Sequence, residues 1–139
     1  MIEIEQQPWQ QMVEHARSTY PNECCGAMLG KIEDGHKRVV VAMALENASA
    51  GPQAARYELR PEDLLAADRE ARRHNLDLVG IYHSHPNAPA RPSDFDKAHA
   101  WPSLSYVVME VRDGKTVETK SWILKDDRTE FVPERIVME

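Results

Sequence analysis

Cysteine is nearly absent from this chain of 139 residues, and the two that occur, Cys24 and Cys25, are adjacent. Neighbouring cysteines cannot staple distant loops, which excludes a disulfide-built scaffold and leaves reduced thiols as the expectation. Long apolar runs are missing too. The longest, Val39 to Leu45, is far short of the roughly 20 residues that a membrane span needs. The amino terminus, MIEIEQQPWQ, carries acids where a secretory leader would carry a basic and then an apolar stretch. A cytoplasmic protein with no membrane partner is therefore expected. Positive charge is also in short supply, with 17 Lys and Arg against 23 Asp and Glu for a net charge of -6. Without a basic footprint, nucleic acid is not an expected partner. Low-complexity tracts and internal repeats are lacking as well, and 29% charged with 42% hydrophobic residues is the composition of a folded protein. The length suits one core and not two, so residues 1–139 are expected to form a single domain.

What is present reads as alternating helices and strands. In PWQQMVEHARSTY the residues Trp9, Met12, Val13 and Ala16 recur on one helical face, with Tyr20-Pro21 as the stop. Residues 24–49 read as a hairpin turned at Glu33-Asp34-Gly35, followed by a loop from Ser49 to Gln53 and a short extended piece at Tyr57-Glu58-Leu59. PEDLLAADREARRHN has proline and two acids in its first turn and basic residues in its last, which favours a helix. A buried strand is expected from Leu76 to Tyr82, then a proline-studded loop from Pro86 to Pro92 and a short helix from about Ser93. A second hairpin turns at Asp113-Gly114. The order α-β-β-α-β-α-β-β predicts an α/β or α+β fold, a mixed sheet flanked by helices.

The chemistry concentrates in HSHP, residues 83 to 86. Side chains at i and i+2 of a strand share a face, with Cα atoms roughly 6.6 Å apart, so His83 and His85 can converge on one ion. Zinc takes imidazole nitrogens and in catalytic sites keeps three protein ligands and one open position. Asp96, brought back by the proline loop, offers the third. Each signal has a plainer reading: Ser93-Asp94-Phe95-Asp96 has the spacing of a helix capping box, and His-x-His alone also describes two surface histidines. Together they are stronger than either.

HSHPNAPARPSDFD matches His-x-His-Pro, six residues, Ser-x-x-Asp, and so resembles the JAMM (MPN-plus) zinc metalloproteases. YPNECCGAMLG resembles the family's upstream segment, and the likeness runs from about Tyr20 to Lys125. The resemblance implies the JAB1/MPN fold, which is related to cytidine deaminase-like folds, and one Zn2+ per chain. It implies His83, His85 and Asp96 as ligands with water in the fourth position. It further implies Glu23 as general base and Ser93 as a stabiliser of the oxyanion. The implied substrate is the amide bond after the carboxy-terminal Gly-Gly of a ubiquitin-like or sulfur-carrier protein, the short chain looking like the compact prokaryotic members. The tail of such a carrier would add to an exposed strand edge.

Two other readings were weighed. A zinc deaminase needs H-x-E with P-C-x-x-C, and the chain has neither. A silent MPN-type scaffold typically loses ligands, and none is missing. Ser84 is expected to face away from the ligands, Cys24 and Cys25 to be buried hydrophobes, His99 to sit near the site or on the surface, and His15, His36 and His74 to face solvent. The oligomeric state, a homodimer among the options, is not legible in the sequence.

Overall fold

The computed structural model describes all 139 residues. In chain order they form β1 (Ile2–Ile4), α1 (Gln6–Thr19), β2 (Cys25–Glu33), β3 (His36–Leu45), α2 (Pro61–Arg73), β4 (Asp77–Pro86), α3 (Asp94–His99), β5 (Ser105–Arg112), β6 (Lys115–Leu124), β7 (Phe131–Glu134) and β8 (Ile136–Met138). The eight strands form one sheet in the order β7-β6-β5-β4-β2-β3-β1-β8. It is mixed, parallel at β4–β5, β1–β3 and β1–β8 and antiparallel elsewhere.

Both expected hairpins turn at the residues read from the sequence. Asp34 and Gly35 have φ of 50° and 77°, and Asp113 and Gly114 have 52° and 77°. Two successive positive φ angles give a turn whose twist matches that of the flanking strands. Gly26 has a separate reason to lack a side chain, because a Cβ there would stand 2.3 Å from the Tyr82 ring.

Three strands were missed, β1, β7 and β8, each of three or four residues. They close the structure. β7 and β8 are the two edges of the sheet, yet only Arg135 separates them in sequence, so the sheet curls until its edges meet. A buried polar cluster fastens that corner. Lys37 Nζ donates to Ser105 Oγ at 2.6 Å, and the hydroxyls of Ser105 and Ser121 donate to Glu134 Oε1 at 2.7 and 2.8 Å.

Each face of the sheet has its own core. Met12 and Ala16 of α1 pack with Ile2, Met28, Val79, Tyr82 and Met109 on one side. Ala67 and Ala71 of α2 pack with Ala27, Leu29, Ile81 and Tyr106 on the other. Tyr57-Glu58-Leu59 pairs with no strand; Tyr57 instead turns into the second core. No helix is long and apolar enough to cross a membrane.

Candidate metal centre

β4 runs on past Tyr82 to Pro86, so both histidines lie within the strand rather than beyond its end. Ile81, His83 and His85 then share the α2 and α3 side of the sheet, while Tyr82 and Ser84 point to the α1 side. Ser84 does what its position implies: its Oγ accepts the Cys24 N–H at 2.8 Å.

The pairing of β2 with β4 brings Glu23 across a gap of sixty residues. Cys25 stands opposite His83, and the antiparallel register continued by two residues puts Glu23 opposite His85. Its backbone is held from the other side by the loop after β3. Glu23 N–H donates to Gln53 O at 2.7 Å, and its carbonyl accepts Asn47 Nδ2–H at 3.2 Å. Asn47 also donates to Arg56 O and accepts from the N–H groups of Ser49 and Glu58, so one amide fixes both the Glu23 backbone and the segment carrying Tyr57. The Tyr57 ring stacks on His83 with centroids 4.5 Å apart. Sequence reasoning missed both residues, because neither belongs to a motif with fixed spacing.

Asp96 arrives on α3. Ser93 caps the helix, with Asp96 N–H donating to Ser93 Oγ at 3.1 Å and Ser93 N–H donating to Asp96 Oδ2 at 2.8 Å. The capping-box reading of S-x-x-D therefore holds, and the oxygen that closes the box also faces the histidines. Asp96 Oδ2 is 3.2 Å from each imidazole Nε2, and the two Nε2 atoms are 3.1 Å apart.

This near-equilateral triangle fits a small ion. Ligands at about 2.0–2.1 Å around a tetrahedral metal stand about 3.3–3.4 Å from one another. His85 Nδ1–H donates to Pro89 O at 2.8 Å, which leaves Nε2 as the lone-pair side facing the triangle. Glu23, His83 and His85 also present donor atoms all within 4.8 Å of one another, a looser set. Asp96 touches both rings, whereas Glu23 makes no ion pair with either. Glu23 is 3% exposed, and its Oε1 is buried without any hydrogen-bond partner.

Burial pushes the Glu23 pKa up to about 8, opposed by His85 and reinforced by Asp96. Burial works in the same direction on Asp96, but the two imidazoles and the Ser93 N–H outweigh it and hold that carboxyl well below its usual range. Burial lowers the His83 pKa in spite of Asp96. The thiols of Cys24 and Cys25 are pushed up by burial, to about 11 and about 12, so neither supplies a thiolate nucleophile.

Other histidines divide. His36 and His74 are exposed, and His99 is exposed and stacked on Phe95. His15, expected in solvent, is half-buried, with Nδ1 hydrogen-bonded to the Tyr82 hydroxyl at 2.8 Å. The large ring across the core reaches the helix from beneath.

Residues 5–125 match the family model of prokaryotic homologues of the JAB domain. The chain belongs to that family. The JAB1/MPN fold expected from the sequence is thus its fold. The chain is similar to the desampylase of Pyrococcus furiosus, 34% identical over 84% of this chain and 76% of that one. It is also similar to the CysO-cysteine peptidase of Mycobacterium tuberculosis, 32% identical over 91% of this chain and 84% of the relative. Among solved structures, a protein from Desulfitobacterium hafniense superposes with a TM-score of 0.87 at 33% identity, covering 100% of this chain and 93% of that one.

Proposed function

We propose that this JAB-domain protein is a zinc-dependent peptidase or isopeptidase that hydrolyses the amide bond following the carboxy-terminal Gly-Gly of a ubiquitin-like or sulfur-carrier protein. The observation that carries the reading is the triangle of His83 Nε2, His85 Nε2 and Asp96 Oδ2 with the unpartnered Glu23 Oε1 beside it. The relatives named desampylase and CysO-cysteine peptidase support the choice of substrate.

His83, His85 and Asp96 hold one Zn2+ per chain in this proposal. The ion, when bound, supplies a Lewis acid that makes water acidic near neutral pH and polarises the scissile carbonyl. Glu23 takes the proton from the attacking water and delivers it to the leaving amine, so that the C–N bond breaks to a carboxylate and an amine. Glu23 Oε1, buried and without a partner in the protein, is left to accept that proton. Ser93 Oγ accepts the Asp96 N–H, and its own hydroxyl proton is left to donate to the oxyanion. The cytoplasm is the protein's place of action in this proposal.

Glu23→Gln tests the assignment. It should retain zinc at one per chain while turnover of a Gly-Gly-linked substrate falls about 10²- to 10⁴-fold. Normal cleavage by that variant would remove Glu23 from the role. A zinc-loaded wild type that cuts no Gly-Gly tail would favour the scaffold reading.

A further inference from the structure

Two cavities flank the donor triangle, and their linings differ in kind. On one flank Tyr57, Leu59, Leu64, Ile81, Leu104 and Tyr106 help to enclose about 250 Å3 of largely apolar space. It adjoins the centre directly, since Tyr57 stacks on His83 and Ile81 precedes it by two residues on the same strand face. The other flank is an open cleft of about 320 Å3 bordered by His85, Pro89, Arg91 and Ser93. Its permanent charge is that of Arg91.

Arg91 stands on a rigid base. Its N–H donates to Pro89 O at 2.8 Å, Ala90 before it is buried with its carbonyl accepting Trp122 Nε1–H at 3.0 Å, and Pro92 follows. The guanidinium itself is free. Arg91 is exposed and forms no ion pair, not even with Asp94 three residues on, and among the arginines without a carboxylate partner it is the one that borders the cleft with His85 and Ser93. An unpaired arginine held beside two residues of the centre is placed to bind an anion of the substrate, and its planar fork suits a carboxylate.

We propose that Arg91 receives the free α-carboxylate of the leaving amino acid, so that the enzyme prefers to remove one carboxy-terminal residue from a Gly-Gly tail. This rests on the amide-hydrolase reading above. The carrier side of the scissile bond continues into a folded protein and has no free main-chain carboxylate, so it takes the apolar flank. The leaving residue takes the cleft. An isopeptide-linked lysine within a conjugate offers no such carboxylate close to the scissile nitrogen and is the poorer substrate. Hydrolysis yields the tail carboxylate and a free amino acid, with water as the sole co-reactant.

Binding and cleavage together test the assignment. Zinc-loaded Glu23→Gln should bind a peptide ending in Gly-Gly-Ala about tenfold more tightly as the free acid than as the carboxy-terminal amide. Adding Arg91→Gln, an exposed substitution whose unchanged Tm verifies folding, should bring that ratio to about one. In the wild type the acid should be cleaved about tenfold more efficiently than the amide or a Gly-Gly-Nε-lysine peptide. Equal binding of acid and amide, or an equal loss of both with Arg91→Gln, would overturn the proposal. If no peptide is cleaved but the acid still binds better through Arg91, the peptidase reading fails and the carboxylate site stands.

Discussion

Two buried polar clusters lie in this sheet, and they are built on opposite electrostatic plans. The closing corner has one carboxylate, Glu134, joined to Lys37 through Ser105, with Ser121 as a second donor to the carboxylate. Glu134 Oε2 lies 3.9 Å from Lys37 Nζ and 3.6 Å from the amino-terminal nitrogen of Met1, so the carboxylate is matched by fixed cations of the chain itself. At the other cluster two carboxylates, Glu23 and Asp96, face imidazoles whose charge depends on protonation, and no lysine or arginine is buried among them. A buried group of like-signed acids without a fixed cation is arranged for a cation from outside. The comparison teaches that burial of polar groups is not by itself a sign of function. Internal charge balance separates fastening from chemistry.

Breaking the corner should cost the fold and spare the chemistry. Lys37→Met leaves Glu134 buried with the amino-terminal ammonium as its one remaining cation, and should destabilise the protein by about 3 kcal/mol in urea unfolding, with zinc stoichiometry unchanged. Loss of zinc by a folded Lys37→Met would mean that the two clusters are coupled.

The centre makes a prediction of opposite sense in the metal-free protein. Because the Glu23 pKa is raised from 4.5 to about 8, its protonated form contributes stability that is fully present below about pH 4.5 and lost as pH rises through about 8. Wild type should therefore weaken relative to Glu23→Gln over that window by up to a few kcal/mol, read as the difference in Tm between chelated samples. Parallel pH profiles would show that Glu23 is not held in a desolvating site. Asp96 acts the other way, its contribution being present above about pH 4 and lost in acid.

A smaller effect sharpens the comparison within the centre. Asn47→Asp keeps the acceptors for Ser49 and Glu58 but removes the donors to Glu23 O and Arg56 O. It should lower kcat about tenfold with zinc content unchanged, and an unaltered kcat would show that the Glu23 backbone is held well enough by Gln53 alone.

Legibility in the sequence followed the range of the interaction. The helix at Pro61, the two Asp-Gly turns and the strand carrying HSHP announce themselves within a dozen residues, through periodicity or backbone geometry that few residue types tolerate. The proposed site residues could be named from the sequence because each belongs to a segment with fixed spacing. β1, β7 and β8 are too short for any period to register, and exist because Ile2 lies between Lys37 and Ile136. Lys37 is likewise unremarkable until Glu134 arrives 97 residues later. Tyr57 and Asn47 were hidden for the same reason, their distant partners being His83 and Glu23 respectively.

α3 has only six residues, well below the length at which a helix holds itself together in water. Asp96 Oδ2, the oxygen that closes its capping box, is the one turned toward the histidines. On the proposed assignment of Asp96 as a ligand, folding of this turn and capture of the ion become a single equilibrium seen from two ends: whatever tightens the helix raises affinity for the metal, and whatever strips the metal loosens the helix. Chelation should accordingly appear first as faster amide exchange from Asp96 to His99, while the strand beneath stays protected.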